Sequence, residues 1–145
     1  MDIPARLKTA QELIRNGQAT CVLIRDGVIA GEASGIGVKP ILHFLENEPG
    51  ILKGAEVADK VIGKAAAMLL VFGGALYVYG ELMSISGRDY LQKQSIPFSF
   101  GTLVDKISSR DGIGICPLEQ SVMEIDDPKK GYDAIKTTIA KLMAG

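Results

Sequence analysis

The feature that most constrains the fold of this chain is a long apolar segment, residues 58–74 (ADKVIGKAAAMLLVFGG). Charged residues stand only near its start, and residues 65–73 carry no polar side chain. A helix that is apolar on every side has to be covered on more than one side by the rest of the protein. The segment therefore predicts a buried central helix. The glycine pair that closes it is a common way for a helix to end.

The segments around this helix predict further helices and strands. Helical spacing of apolar residues indicates a first helix over residues 4–16. Residues 20–34 (TCVLIRDGVIAGEAS) predict two strands joined at Asp26-Gly27, because both residues of a tight hairpin turn need positive φ. A short helix is expected over residues 40–46, and aromatic and branched residues predict a strand over residues 75–83.

The remaining segments read as short elements joined by tight connections. Residues 84–94 predict a helix, for which Ser84 or Ser86 can serve as N-cap. Strands are expected over residues 97–100 and 103–108, followed by a tight loop over residues 109–114. Pro117 favours a helix start with Cys116 as its N-cap, and the last helix is expected to begin near Pro128.

The order of these elements favours an α/β fold. A hairpin, a buried helix and a core strand in succession predict a three-layer α/β/α sandwich whose mixed sheet starts with a β-hairpin. The chain has 145 residues, which is the usual size of one compact domain. We therefore expect a single domain over residues 1–145.

Composition and charge argue against several classes of protein. A net charge of −1 gives no reason to expect binding to nucleic acid or to an anionic membrane. The apolar run over residues 65–79 is shorter than the roughly 20 residues of a membrane-spanning helix. The first residues lack the pattern of a signal peptide, and two cysteines are too few for a disulfide framework. We expect a cytoplasmic protein.

The residue types available also limit the chemistry. Zinc sites use three or four Cys, His or carboxylate ligands, whereas this chain has His43 as its only histidine and two well-separated cysteines. We expect no metal and no cofactor. Cys21 is expected to be a small buried strand residue, and His43 a structural residue at or near the surface. The glycine-rich residues 35–37 favour a plain turn over an anion cradle.

The polar residues at predicted helix starts are the candidates for chemistry. Asp59, Lys60 and Lys64 stand on the predicted central helix, and Cys116 and Glu119 on the late one. Lys64 is interpreted either as an ion-paired lysine that reaches the surface or as a lysine that faces a ligand. Cys116 is interpreted either as a buried structural residue or as a thiol whose ionised form the helix dipole favours.

The sequence resembles a family of small uncharacterised prokaryotic proteins assigned to the cytidine-deaminase-like fold. The residues that carry the resemblance are 58–67 (ADKVIGKAAA) and 112–119 (GIGICPLE), and it extends over roughly residues 17–139. The resemblance implies the order helix, two-strand hairpin, central helix, strand, helix, strand. It also implies a pocket where the helix starts meet the strand ends.

Zinc deaminases carry H-A-E or C-A-E at the start of the central helix and P-C-x-x-C at the start of the next one. The corresponding residues here are 59–61 (DKV) and 84–87 (SISG). Neither set contains a zinc ligand of the deaminase pattern. The resemblance therefore implies the place of a pocket, without the zinc and without the deaminase reaction.

The sequence thus predicts a metal-free domain that binds a small anionic or nucleotide-like molecule. The predicted ligand contacts are Lys60, Ser84, Ser86 and Gly114. If the ligand is turned over, Cys116 is the predicted nucleophile, Lys64 the electrostatic stabiliser or Schiff-base former, and Asp59 or Glu119 the proton carrier. The alternative is a non-catalytic regulatory or protein-interaction module with a vestigial pocket. Whether the protein is an enzyme and whether it forms a homo-oligomer stay open at this level.

Overall fold

The computed structural model describes residues 3–108 and 116–144. Its strands are β1 (Cys21–Arg25), β2 (Val28–Ala33), β3 (Glu56–Ile62), β4 (Tyr77–Ser84) and β5 (Phe98–Val104). A 3₁₀ turn (Ala5–Leu7) precedes α1 (Lys8–Arg15), and the other helices are α2 (Lys39–Asn47), α3 (Lys64–Gly73), α4 (Ile85–Lys93), α5 (Pro117–Ser121) and α6 (Pro128–Ala144).

The five strands form one mixed sheet in the order β2-β1-β3-β4-β5. β1 runs antiparallel to β2 and β3, whereas β3, β4 and β5 run parallel. Helices flank the sheet on both faces. α1 covers one face through a cluster that includes Leu7 and Ile14, and α2, α3 and α4 cover the other face.

The first part of the chain folds as predicted. The 3₁₀ turn and α1 together account for the predicted first helix, and α2 for the predicted short one. The hairpin β1–β2 is confirmed, with φ of 52° at Asp26 and 79° at Gly27. Cys21 is fully buried in β1, as predicted.

The predicted central helix is wrong in its first part. Residues 58–62 belong to β3, and α3 begins only at Lys64. β3 lies between β1 and β4 and is covered on both faces, so its sequence lacks the alternation of a half-exposed strand. The branched residues Val57, Val61 and Ile62 suit a strand, and their signal was hidden by the apolar run that follows.

The remaining part of the predicted helix is confirmed. Every residue from 65 to 70 is at most 4% exposed, and α3 is packed between β3 and the helices α2, α4 and α6. The helix ends at Gly73, and Gly74 follows in the left-handed region with φ of 89°. Among the residues described, none of the helices combines the length and the apolar character needed to cross a membrane.

The second half of the chain differs from the prediction at one strand. The two predicted strands over residues 97–100 and 103–108 are one strand, β5, because its pairing with β4 continues from Phe98 to Val104. The predicted strand over residues 75–83 is β4, and Ser84 is the N-cap of α4, as predicted. The predicted loop over residues 109–114 lies outside the described residues.

Candidate functional site

A cleft of about 380 Å³ lies at the carboxyl ends of the parallel strands, where α3 and α4 begin. Its walls come from the start of α3, from one side of α4 along its length, from the residues after β5, and from residues 116–127, which we call the strap. The lining residues that bear on function are Lys64, Ser86, Lys93, Lys106, Glu119 and Asp126.

The carboxylate of Glu119 caps the start of α3. Its Oε1 accepts a hydrogen bond from the backbone N–H of Lys64 at 2.8 Å, and its Oε2 accepts one from Ala65 at 2.7 Å. A helix start carries partial positive charge and unpaired N–H groups, so a carboxylate is stabilising there. Glu119 stands on the predicted late helix, at the third position of α5, but its carboxylate accepts hydrogen bonds from a different helix, α3.

Gly63 leaves the space that this carboxylate occupies. A Cβ at residue 63 would overlap the carboxylate of Glu119. The backbone of Gly63 is extended, with φ of −97° and ψ of −172°, which any residue can adopt. The glycine is therefore needed for space rather than for an unusual backbone conformation.

Burial is the main influence on the ionisation of Glu119. It raises the pKa of this carboxyl above the ordinary value, while the two N–H groups and the Lys64 ammonium act in the opposite direction. The net direction is upward, so the cap does not fully compensate for the loss of water around the carboxylate.

Lys64 is the first residue of α3 rather than a residue inside it, which removes the difficulty of a lysine in an apolar helix. Its Nζ donates a hydrogen bond to the Met123 carbonyl at 3.1 Å and lies 3.9 Å from Oδ1 of Asp126. The side chain is 14% exposed and lines the cleft. The nearby carboxylate of Asp126 fits the interpretation of Lys64 as an ion-paired lysine, and because Lys64 lines the cleft, a contact with a ligand stays a prediction.

The strap is fastened to α3 and α4 by polar contacts. The hydroxyl of Tyr90 donates to the Asp126 carbonyl at 2.8 Å, and Lys93 Nζ pairs with Asp126 Oδ2 at 2.7 Å. The Lys93 ammonium lowers the pKa of Asp126, and burial raises the pKa of Tyr90 to about 12. Of the strap residues, all of which the structure describes, Val122 alone is fully buried. Leu118 and Ile125 are partly buried and pack against the same apolar core as Val122, so the strap is held by three apolar side chains as well as by these polar contacts.

Three more predicted residues lie at or beside the cleft. Ser86 lines it, and the Oγ atoms of Ser84 and Ser86 are 3.1 Å apart. Ser84 is fully buried, and its Oγ accepts a hydrogen bond from the Gly87 N–H, so its visible role is to cap α4. Cys116 is the N-cap of α5, as predicted, and is partly exposed. Its N–H bonds to the carbonyl of Ile107, a lining residue.

Asp59 and Lys60 do not join this group. The sequence predicts both residues on the central helix, but both are strand residues of β3. Asp59 is 3% exposed inside the sheet, and Lys60 is exposed. Gly114, the last predicted ligand contact, lies outside the described residues. The structure thus brings Lys64, Ser86 and Glu119 together and leaves the β3 pair apart.

Sequence reasoning missed Lys93, Lys106 and Asp126. Lys93 is the last residue of α4 and Asp126 precedes α6, positions where such charges are ordinary. Their shared role in the cleft arises only when these segments meet. His43, predicted to be structural and near the surface, is on the surface with its side chain 57% exposed. Among residues 3–108 and 116–144, His, Cys, Asp and Glu side chains form no group of three that could hold a metal ion.

Comparison with known proteins gives the fold and the family. No curated protein matches the chain. A similar solved structure is that of a DUF1893 family protein, TM1506, from Thermotoga maritima, which is 23% identical to this chain and has a TM-score of 0.81. The match covers 97% of this chain and 92% of that one, and at this identity it shows the fold alone. Residues 9–139 match the family described as TM1506: Domain of unknown function (DUF1893). The chain therefore belongs to the DUF1893 family.

Proposed function

We propose that this domain binds a small molecule with an anionic group, of the phosphate or nucleotide type, in the cleft between α3, α4 and the strap. The observation that carries the proposal is the presence of three lysines, Lys64, Lys93 and Lys106, around a cleft of about 380 Å³. The cleft lies at the carboxyl ends of parallel strands, which is where ligands bind in open α/β sheets.

The contacts of Asp126 indicate where the anionic group would bind. This carboxylate pairs with Lys93 and lies near Lys64, so an anion already stands between the two ammonium groups. The Asp126 side chain is 63% exposed, and an exposed ion pair contributes little to stability. A ligand anion can therefore replace Asp126 at low cost. The N–H groups at the start of α3 are less suitable, because Glu119 already accepts hydrogen bonds from them.

The rest of the ligand would meet polar side chains. Ser86, Asp89, Tyr90 and Asp105 also line the cleft. Their carboxylates and hydroxyls accept hydrogen bonds, so they suit hydroxyl or amino groups of the kind that a nucleoside carries. This mixture of lysines and acceptors favours a polar molecule with an anionic end over a purely anionic one.

The order of elements supports a cytidine-deaminase-like fold as a further part of the proposal. The sequence α1, hairpin β1–β2, α2, β3, α3, β4 gives the order helix, hairpin, helix, strand, helix, strand. In this order the H-A-E or C-A-E motif of the deaminases corresponds to the start of α2, and the P-C-x-x-C motif to the start of α3. The sequence alone had matched these motifs to residues 59–61 and 84–87, near the starts of α3 and α4. Residues 38–40 (VKP) and 63–66 (GKAA) stand there, and neither contains His, Cys or Glu.

Binding without turnover is favoured over catalysis by the positions of the two predicted proton carriers. Glu119 uses both carboxylate oxygens to cap α3, and Asp59 is buried in the sheet. Neither is free in the cleft to move a proton to or from a ligand. A ligand-sensing module therefore fits the geometry better than an enzyme, and the nucleophilic role of Cys116 stays a prediction.

Thermal unfolding with added anions tests the proposal. A molecule that binds only the folded state raises the melting temperature. We expect phosphate, pyrophosphate or cytidine monophosphate to raise it for the wild type, relative to chloride at equal ionic strength. Lys64→Met should lose most of this increase. Lys8→Met removes the same charge from an exposed position in α1 and serves as the matched control.

The proposal fails if none of the three anions acts differently from chloride. It also fails if Lys64→Met and Lys8→Met retain equal responses, since the anions would then bind outside the cleft. Lys93→Met provides a second variant on the other side of Asp126, and it should weaken the response in the same direction as Lys64→Met.

A further inference from the structure

Asp59 occupies an unusual position for a carboxylate. It lies in β3, the central strand, opposite Cys21 of β1 on one side and Gly80 of β4 on the other. Its side chain shares the sheet face of Cys21 and Val57, which α2 and α3 cover. Only 3% of Asp59 is exposed.

The hydrogen bonds of this carboxyl are incomplete. Oδ1 accepts the N–H of Val61 at 3.1 Å, while Oδ2 is buried without a hydrogen-bond partner among the residues described. An ionised carboxylate in such a place loses its hydration, and the Val61 and Lys60 N–H groups and the Cys21 thiol offset only part of that loss, which makes the charged form costly. A neutral carboxyl group is much cheaper to bury there.

The elements packed around Asp59 bring few charges to it. On β1 the facing group is the Cys21 thiol, and on β4 the register partner is Gly80. From α2, the residues in this core are apolar, whereas Lys39 is exposed. His43 is also on the surface.

From α3, residues 65–70 present apolar side chains, and the Lys64 ammonium is directed to the Met123 carbonyl in the strap. Burial raises the pKa of Asp59 to about 7, against the opposing effects of the Val61 N–H, the Cys21 thiol and the Lys60 N–H. Burial also raises the pKa of Cys21 well above its ordinary value. The pair is therefore neutral in mildly acidic solution.

We propose that Asp59 and Cys21 form a buried pH-sensitive switch in the centre of the sheet. With a neutral Asp59 the sheet is closed around the thiol. Ionisation of Asp59 opens the sheet locally, because water can then reach the charged carboxylate, and the opening exposes Cys21. This inference does not depend on the ligand proposed for the cleft.

The direction of the pH effect follows from linkage. A carboxyl whose pKa is raised on folding contributes stability that is complete below its ordinary value of 3.8. That contribution is lost progressively as the pH rises to about 7, and little further change is expected above it. Opening should therefore increase between about pH 4 and pH 7 and then level off.

Cys21 provides a direct probe of the opening. In a Cys116→Ser background, Cys21 is the one remaining thiol of the chain. Its reaction with dithiodipyridine, divided by the rate for the urea-unfolded protein at the same pH, reports accessibility without the intrinsic pH dependence of the thiol. We expect this ratio to rise at least about tenfold from pH 5 to pH 7. Asp59 has one pKa in the closed sheet and a lower one in the open sheet. Between these two values, the equilibrium constant for opening rises up to about tenfold for each increase of one pH unit.

The matched variants are Asp59→Asn and Asp105→Asn. Both remove one carboxylate, but Asp105 is an exposed residue directly after β5, the edge strand of the sheet. We expect Asp59→Asn to abolish the rise and Asp105→Asn to retain it. A flat profile in the wild type, or an equal rise in Asp59→Asn, would overturn the proposal.

If Asp59→Asn does not fold, the wild type still decides the matter. The carboxyl ¹³C chemical shift of Asp59, followed by NMR over the same pH range, gives its titration midpoint. A midpoint near 7 supports the switch. A midpoint close to the ordinary value of 3.8 would show that Asp59 is ionised at neutral pH without any opening, and the proposal would be wrong.

Discussion

The central helix α3 and the strap, which contacts its first residue, Lys64, differ in the interactions that hold them: apolar burial for the helix, and a larger share of polar contacts for the strap. Residues 65–70 of α3 are at most 4% exposed and touch apolar side chains from the sheet and from three other helices. The strap contributes one fully buried side chain, Val122, and two partly buried ones, Leu118 and Ile125, and it is also fastened by hydrogen bonds and ion pairs. The helix thus depends on burial, whereas the strap combines a few apolar contacts with matched polar partners.

This difference bears on how each region can change. Close packing involves many contacts at once, so a helix with six consecutive buried residues, 65–70, has no alternative position of similar free energy. A polar contact exchanges for water or for another polar group at a small net cost. We therefore expect α3 to tolerate little change and the strap to be the wall of the cleft that can yield to a ligand.

The largest effect should come from a charge placed in the buried helix. Leu69 is fully buried in α3, and Leu69→Asp puts an unpaired carboxylate among apolar side chains. This costs several kcal/mol, which is comparable with the whole stability of a domain of about this size. We expect no cooperative thermal transition by circular dichroism.

Phe72→Asp is the matched control, because it introduces the same residue into the same helix where the side chain is 38% exposed and stacked on Tyr132. It should fold, with a lower melting temperature. A cooperatively melting Leu69→Asp protein would show that the interior of α3 is less tightly packed than the structure indicates.

An intermediate effect is expected where the helix and the strap meet. The Cβ of Gly63→Ala would displace the Glu119 carboxylate, so the variant should lose the same two hydrogen bonds as Glu119→Ala. Each single variant should therefore lose about 1–3 kcal/mol of unfolding free energy, measured by urea denaturation. The double variant should lose little more than either one.

This double-mutant cycle measures whether the effects of the two substitutions depend on each other. Additive losses would mean that Gly63 and Glu119 act independently, and the shared site at the start of α3 would be refuted. A Gly63→Ala protein as stable as the wild type would have the same meaning, because it would show that the carboxylate does not need the space.

The smallest effect should come from the ion pair on the surface of the strap. Lys93 and Asp126 are 59% and 63% exposed. Lys93→Met should leave the melting temperature almost unchanged, and any difference should vanish in high salt because salt screens exposed charges. A large, salt-resistant loss of stability would contradict the view that the strap is weakly held.

Much of the fold follows from local sequence signals. The hairpin was predicted from Asp26-Gly27, because a two-residue turn with positive φ is a local requirement. The end of α3, the N-cap Ser84 and the start of α5 at Pro117 are also set by single residues with clear local effects. The extent of β3 was not predicted, because a central strand and a buried helix are both apolar throughout and differ only in their neighbours.

The site was predictable only in part, for the same physical reason. Lys64 and Glu119 were singled out because each lies at a helix start, and they do meet. The hydrogen bond between them could not be predicted, because a carboxylate that caps another helix does not change the residue spacing of either segment. Asp59 was predicted to begin a helix, whereas it lies in a central strand between β1 and β4, on the sheet face that α2 and α3 cover.

The sequence by itself determined the β1–β2 turn, the end of α3, the starts of α4 and α5, and the burial of residues 65–70, because these properties depend on neighbouring residues and on apolar content. Only the tertiary structure decided that Glu119 closes the start of α3, that Asp126 lies between two lysines, and that one oxygen of Asp59 is left without a partner among the described residues. Those facts depend on which segments the sheet order brings together, and a linear pattern of residues carries little information about distant contacts.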